Sequence, residues 1–127
     1  MFMRAILVED DIHTREALAI SIRDLTGLEI VGAAATVEGA LTLAGRIADW
    51  QLMVLDLALQ DGSGITVLSE LQDRGDKRIV VLTNFTDGDL RIQCERLGAD
   101  AMFDKSAELD AFIDYCHQYG SVWGMLT

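Results

Sequence analysis

The chain has 127 residues, of which 50% are hydrophobic, and 21 acidic against 10 basic residues give a formal net charge of −11. This length fits one folded domain, and the charge argues against direct contact with nucleic acid or an anionic membrane, because both require basic protein surface. No apolar run approaches the roughly 20 residues of a membrane span, so the sequence predicts a single cytoplasmic domain over residues 1–127.

Five short apolar runs alternate with amphipathic segments along the chain. The runs show little polar alternation, which is typical of strands that are buried on both faces of a parallel sheet. The predicted strands are RAILV at 4–8, LEIVGAAA at 28–35, LMVLD at 52–56, RIVVLT at 78–83 and AMF at 101–103.

A helix is predicted after each strand. The first, third and fourth cover residues 12–25, 64–74 and 87–97, with Gly27, Gly75 and Gly98 as their stop signals. Thr36 and Ser106 are predicted to cap the second and the last helix. The predicted apolar stripes are Leu18, Ile22 and Leu25; Ala40, Leu41, Ala44, Ile47 and Ala48; Leu90, Cys94 and Leu97; and Leu109, Phe112, Ile113 and Cys116. The final segment GSVWGMLT receives no assignment, and its Trp123 could pack on the domain or mark a contact surface.

This alternation predicts a doubly wound α/β fold, in which a five-stranded parallel sheet is covered by helices on both faces. In such sheets ligands bind at the carboxyl ends of the strands. The predicted strand ends carry acids, a hydroxyl, an amide and an ammonium. These side chains belong to Glu9, Asp10, Asp11, Asp56, Thr83, Asn84 and Lys105.

Several carboxylates cannot all stay ionised at close range without a cation, and oxygen ligands favour Mg²⁺ or Ca²⁺. A carboxylate beside Mg²⁺ can act as a nucleophile toward a phosphoryl group. We therefore predict that Asp56 accepts a phosphoryl group and that Glu9 and Asp10 hold Mg²⁺. Lys105 would pair with the phosphoryl oxygens, and Thr83 would sense them.

Four segments together resemble the receiver domains of two-component response regulators. They are ILVEDD at 6–11, VLDLALQDGSG at 54–64, VVLT at 80–83 and GADAMFDKS at 98–106. The resemblance implies a flavodoxin-like (βα)5 fold with strand order 2-1-3-4-5. It also implies that the chain is not an enzyme beyond its own phosphorylation and dephosphorylation, and that the backbone carbonyl of Ala58 is a further Mg²⁺ ligand.

The resemblance further implies that a histidine kinase or a phosphotransfer protein phosphorylates Asp56. Thr83 and an aromatic residue of the fifth strand would then switch the domain between two conformations. The face of the fourth and fifth helices would gain or lose a downstream protein, and a homodimer through this face is a further hypothesis. No output domain is expected within the chain.

The chain departs from the family pattern at four places. Gln60 and Ser106 stand where proline is usual, so the loop after Asp56 is expected to be looser, and the state of the peptide bond after Lys105 is left open. Met102 occupies the position of the aromatic gate, and the adjacent Phe103 is expected to point to the other face of the sheet. Asn84 replaces a small residue and could bond the phosphoryl group or restrict water.

Other interpretations are weighed alongside this one. Asp10 and Asp11 could simply cap the first helix, and Cys94 and Cys116 are predicted to be reduced core thiols. A docking module that works without phosphorylation is the main alternative. A phosphatase of the haloacid dehalogenase type would need an acid where the chain has Ala58. A flavodoxin-like cofactor carrier is disfavoured, because the acids after the first strand would repel a phosphate.

Overall fold

The computed structural model describes residues 3–85 and 87–126, the last six of them through the backbone alone. Five strands and five helices alternate as predicted, and a small hairpin lies between the third strand and its helix. The elements are β1 Arg4–Val8, α1 Ile12–Thr26, β2 Glu29–Ala34, α2 Val37–Arg46, β3 Leu52–Leu55, β4 Ala58–Leu59, β5 Gly62–Ser63, α3 Gly64–Glu70, β6 Arg78–Thr83, α4 Gly88–Arg96, β7 Ala101–Asp104 and α5 Leu109–Leu126.

The main sheet is parallel, with the order β2-β1-β3-β6-β7. Numbered along the chain, its five strands follow the order 2-1-3-4-5, which confirms the flavodoxin-like fold. All five strands run in the same direction, but the order in which they are added to the sheet reverses between β1 and β3, so the loops after these two strands diverge and leave a crevice at the carboxyl edge of the sheet. The antiparallel hairpin of β4 and β5 was not predicted from the sequence.

Two hydrophobic layers cover the sheet, because successive residues of each strand point to opposite faces. One layer packs Met53, Leu55 and Val81 against α2, α3 and α4, and the other packs Val54 and Leu82 against α1 and α5. All four residues of β3 are buried, which explains why this run lacks polar alternation.

Most helix termini follow the local sequence signals. Thr36 Oγ1 accepts a hydrogen bond from the N–H of Gly39 at 2.9 Å and thereby caps α2, as predicted. Gly27 directly follows α1, and Gly98 follows α4 after one intervening residue. Both adopt left-handed backbone conformations, with φ of 73° and 94°. None of the described helices is long and apolar enough to cross a bilayer.

The third helix is shorter than predicted, since it ends at Glu70 rather than at residue 74. Residues 72–76 have no apolar side chain that could hold a further turn on the sheet. The guanidinium of Arg74, whose side chain is only 8% exposed, donates instead to the carbonyls of Leu71, Lys77 and Gly98, and it also pairs with Asp100. Arg74 thus joins the chain before β6 to the turn before β7.

Three further details of the helices were predicted wrongly. Leu25 is exposed, and Thr26 takes the place at the end of the buried face of α1, because this face is centred on Ile22. Ala48 lies beyond the end of α2 and is exposed. Ser106 does not cap α5, which begins three residues later at Leu109.

The two cysteines are free and buried, in agreement with the prediction of reduced core thiols. Burial raises the pKa of the Cys94 thiol and raises that of Cys116 to about 12. Both thiols are therefore protonated and unreactive at neutral pH. The side chain of Trp123 lies outside the described residues.

Candidate functional site

The site lies at the carboxyl ends of β1, β3, β6 and β7. Asp56 follows β3 and is 5% exposed, while Glu9 follows β1 and is 2% exposed. Lys105 reaches across from the end of β7, and its Nζ donates hydrogen bonds to Glu9 Oε1 and, at 2.8 Å, to Asp56 Oδ2. The topology therefore gathers residues that are up to 96 positions apart in the sequence.

The backbone around Asp56 is held on both sides of the residue. Its N–H donates to the carbonyl of Val8 at 3.0 Å, and its Oδ1 accepts from the N–H of Leu57 at 2.7 Å. A Cβ atom at Gly64 would lie 2.4 Å from the carbonyl oxygen of Asp56. Only glycine fits this close approach, which lets the loop fold back against the end of β3.

Three carboxylates could together hold a metal ion. One oxygen each of Glu9, Asp10 and Asp56 lie within 4.8 Å of one another. Their three negative charges exceed the single positive charge of Lys105 and leave two negative charges unbalanced. A hard divalent cation matches both this charge and the oxygen donors, so the residues fit Mg²⁺.

Burial and hydrogen bonding shift two pKa values in this cluster. Burial raises the pKa of Glu9, although its hydrogen bonds with Lys105 and the N–H of Asp11 act in the opposite direction. Burial alone would lower the pKa of Lys105, but the hydrogen bonds to Asp56 and Glu9 outweigh it and raise the pKa. Lys105 is therefore firmly cationic.

The neighbouring acids Asp10 and Asp11 have separate roles in the structure. Asp11 caps α1, since its Oδ2 accepts from the N–H and the hydroxyl of Thr14 at 2.8 and 2.7 Å. Asp10 belongs to the acidic cluster. Helix capping therefore explains the presence of Asp11, whereas Asp10 is part of the acidic cluster.

Comparison with known proteins assigns this arrangement to a family. Residues 5–117 match the response regulator receiver domain. The chain belongs to this family. Phosphorylation on an aspartate is general for receiver domains, which bind Mg²⁺ at an acidic pocket and interact with histidine kinases and downstream effectors.

Curated relatives are regulators of transcription. The cell cycle transcriptional regulator CtrA of Caulobacter vibrioides is 30% identical over 116 residues, which are 91% of this chain and 49% of CtrA. The transcriptional regulatory protein KdpE of Mycobacterium tuberculosis is 31% identical over 108 residues, which are 85% of this chain and 46% of KdpE. The receiver domain described here spans about half the length of these relatives.

Solved receiver structures share the fold. The signal receiver domain of a DNA-binding response regulator from Colwellia psychrerythraea superposes with a TM-score of 0.82 at 17% identity, covering 92% of this chain and 97% of that one. A response regulator receiver protein from Pseudomonas putida gives a TM-score of 0.79 at 24% identity, with 90% and 94% covered.

A threonine hydroxyl, that of Thr83, lies at the end of β6. Thr83 is fully buried, and its Oγ1 accepts from the N–H of Phe85 at 3.3 Å. Asn84 is exposed, and its Oδ1 accepts a hydrogen bond from Ser106 Oγ at 2.8 Å. The peptide bond between Lys105 and Ser106 is trans. The amide of Asn84 thus has a protein partner beside the site.

The two candidate gate residues on β7 lie in different layers. Met102 packs in the layer of α2, α3 and α4, beside Val81 in the strand register. Phe103 packs in the other layer, with its ring centroid 6.0 Å from that of Phe112 and 5.7 Å from that of Tyr115. Phe103 points away from the Met102 face, as predicted, so of the two residues only Met102 stays a candidate for the gate.

The loop after Asp56 contains two residues whose contacts were missed. Gln60 was expected to leave this loop loose, but its N–H donates to the carbonyl of Ala35 and its Nε2 donates to the carbonyl of Asp10, both at 3.3 Å. Asp61 lies in the turn between β4 and β5. Its carboxylate accepts from the N–H of Val37 at 2.6 Å and from the next N–H of α2 at 3.2 Å.

These contacts connect three loops, and the hydrogen bonds of Asp61 with the N-terminus of α2 lower its pKa. The sequence offered one indication of the contacts of Gln60, namely an amide side chain four residues after Asp56. Such a signal does not identify a partner 50 residues away.

Proposed function

We propose that this receiver domain accepts a phosphoryl group on Asp56 from a histidine kinase or a phosphotransfer protein. The observation that carries the proposal is the buried carboxylate of Asp56, which is bonded to Lys105 and grouped with Glu9 and Asp10. A buried aspartate with a cationic partner and two further acids has the chemistry of a nucleophile beside a Mg²⁺ site.

In the transfer step, a carboxylate oxygen of Asp56 forms a bond to the phosphorus of a phosphohistidine. The P–N bond breaks, and its electron pair returns to the imidazole nitrogen. Glu9, Asp10, Asp56 and the carbonyl of Ala58 would hold Mg²⁺, which would supply positive charge to offset the charge of the phosphoryl oxygens.

Lys105 and Thr83 would bind the phosphoryl oxygens after transfer. Lys105 already contacts Asp56, so its ammonium needs only to exchange a carboxylate oxygen for a phosphoryl oxygen. Thr83 would donate a hydrogen bond to a phosphoryl oxygen, because in its contact with the N–H of Phe85 the hydroxyl acts only as an acceptor. These new bonds favour one of two conformations and thereby change the protein contacts of the domain.

We infer that the output is read at the face formed by α4, β7 and α5, where a downstream protein or a second copy of the chain would bind. CtrA and KdpE are transcriptional regulators, which supports a role in transcriptional control. The free buried thiols agree with a reducing, cytoplasmic location. The acidic composition supports contact with protein surfaces rather than with nucleic acid.

Intact mass after incubation with acetyl phosphate and Mg²⁺ tests the proposal. The wild type should gain one phosphoryl group, whereas Asp56→Asn and an EDTA control should gain none. Asp61→Asn is the matched control, because it changes an exposed aspartate of the same loop and should leave the adduct intact. An adduct that persists in Asp56→Asn would refute the assignment of the phosphoacceptor.

A docking module without phosphorylation is the second candidate, and the absence of an aromatic ring at Met102 supports it. It predicts no adduct in any variant and no binding of beryllofluoride. A phosphatase is disfavoured because Ala58, two residues after Asp56, cannot transfer a proton. Turnover of a small phosphoester would reverse that judgement.

A further inference from the structure

A side-chain hydrogen bond joins two loops beside the site. Ser106 Oγ donates to Asn84 Oδ1 at 2.8 Å. Each partner directly follows a residue that would bind the phosphoryl group, since Asn84 follows Thr83 and Ser106 follows Lys105. We name this contact the Asn84–Ser106 bridge.

The bridge extends the pairing of β6 and β7 beyond the ends of the two strands. Thr83 lies opposite Asp104 in the register, and the N–H of Lys105 donates to the carbonyl of Thr83 at 2.9 Å. The Asn84–Ser106 bridge joins the residues that come next along the chain, one after Thr83 and one after Lys105. Asn84 and Ser106 are exposed whereas Thr83 is fully buried, so the bridge lies on the solvent side of the phosphoryl-binding hydroxyl.

The turn that carries Ser106 is well ordered by hydrogen bonds. Asp104 Oδ1 accepts from the N–H of Ser106 at 2.7 Å and from the N–H of Ala107 at 3.1 Å. Glu108 Oε1 accepts from the N–H of Asp104 at 3.0 Å. The hydroxyl of Ser106 is therefore presented toward Asn84 by a turn whose backbone is already fixed.

We propose that the Asn84–Ser106 bridge restricts the access of water and small phosphodonors to Asp56 and so prolongs the phosphorylated state. The proposal rests on the proposed function. The bridge would affect the access of water rather than phosphoryl binding, because the two phosphoryl-binding residues are held by contacts other than the bridge. Thr83 is fully buried at the end of β6 and is paired with Asp104 of β7, and Lys105 is held by Glu9 and Asp56.

The reaction that the bridge would slow is hydrolysis of the acyl phosphate. The oxygen of water forms a bond to phosphorus, and the P–O bond to Asp56 breaks with its electron pair returning to the carboxylate. Inorganic phosphate leaves, and the proton of the water passes to phosphate or solvent. A small phosphodonor would enter by the same route as water, so the bridge would also slow phosphorylation by such a donor.

The test compares Asn84→Ala, Ser106→Ala and the double variant with the wild type. Each protein is phosphorylated with acetyl phosphate and Mg²⁺, the donor is removed, and intact mass follows the decay. We expect each single variant to lose its phosphoryl group about three- to tenfold faster, the range that one hydrogen bond supports. The double variant should decay no faster than the single ones, because both changes remove the same bond.

Two controls separate the bridge from a general loss of structure. Ser106→Thr keeps the hydroxyl and should decay like the wild type. Thr42→Ala removes an exposed hydroxyl from the middle of α2 and should also leave the decay unchanged. The melting temperatures of all variants, followed by circular dichroism, should agree with that of the wild type.

Equal or slower decay in the two single variants would overturn the inference and leave the proposed function standing. Additive acceleration in the double variant would also overturn it, because the residues would then act separately. A wild type that gains no phosphoryl group on Asp56 would overturn both the inference and the function.

Discussion

Lys105→Met removes the ammonium that contacts Glu9 and Asp56, and methionine retains an unbranched side chain. Two carboxylates that are almost fully buried then lose their cationic partner. Removal of one member of a buried ion pair costs about 3–5 kcal/mol. The side chain of Lys105 is 16% exposed, so water can enter, and we expect the lower end of this range, about 3 kcal/mol.

This loss corresponds to a clear change in melting temperature. Unfolding entropies of about 2.1 cal/mol/K per residue give about 270 cal/mol/K for a chain of this length, so 3 kcal/mol lowers the melting temperature by about 10 °C. Urea unfolding followed by circular dichroism, in EDTA at neutral pH, measures the same loss as a free energy.

Mg²⁺ should reduce the effect of the substitution. A divalent cation at Glu9, Asp10 and Asp56 replaces the missing positive charge, so saturating Mg²⁺ should recover more than half of the lost stability. The matched control is Lys77→Met, which removes the other lysine of the chain. Its Nζ lies 5.4 Å from the centroid of the Trp50 ring, so we expect a loss of about 1 kcal/mol or less that does not depend on Mg²⁺.

The reasoning fails if Lys105→Met unfolds at the same urea concentration as the wild type in EDTA. It also fails if the variant is destabilised equally with and without Mg²⁺, because the cation would then not replace the missing ammonium. An equal response of the Lys77→Met control to Mg²⁺ would indicate a nonspecific effect of ionic strength.

Three further substitutions test other parts of the structure. Gly64→Ala should lower the free energy of unfolding by about 2–4 kcal/mol, because its Cβ would clash with backbone, whereas Gly45→Ala, which meets no atom within 4 Å, should be neutral or stabilising; equal urea midpoints would contradict this. Arg74→Ala should cost about 2–4 kcal/mol in the same assay, since several carbonyls lose their donor, whereas the exposed Arg46→Ala should cost little; matching losses would refute the role of Arg74. The lowered pKa of Asp61 stabilises the fold above its unfolded pKa, and this stability is lost as pH falls through the folded pKa. Asp61→Asn should therefore flatten the fall in melting temperature on acidification, and a parallel fall in both proteins would disprove it.

The sheet could be predicted because its signal is local and strong. Runs such as LMVL are buried on both faces, and the alternation of strands with helices leaves few topologies. The grouping of Glu9, Asp56 and Lys105 followed from the same argument, since parallel strands end at one edge. No knowledge of individual side-chain contacts was needed for it.

The errors fall where tertiary contacts decide between local alternatives. Leu25 and Thr26 both lie near the buried face of α1, and only the packing of the helix selects Thr26. Ser106 has the chemistry of a helix cap, yet its hydroxyl bonds Asn84 in another loop. Gln60 bonds a carbonyl 50 residues away, which no local pattern indicates.

The placement of Met102 and Phe103 on one strand has a mechanical consequence. These neighbours occupy opposite layers, Met102 against the α4 side and Phe103 among the rings of Phe112 and Tyr115 on the α5 side. Close-packed interiors transmit displacements rather than absorb them. A twist of β7 therefore moves both layers together, and the tyrosine beside Phe103 offers an intrinsic optical probe of events at the opposite face of the sheet.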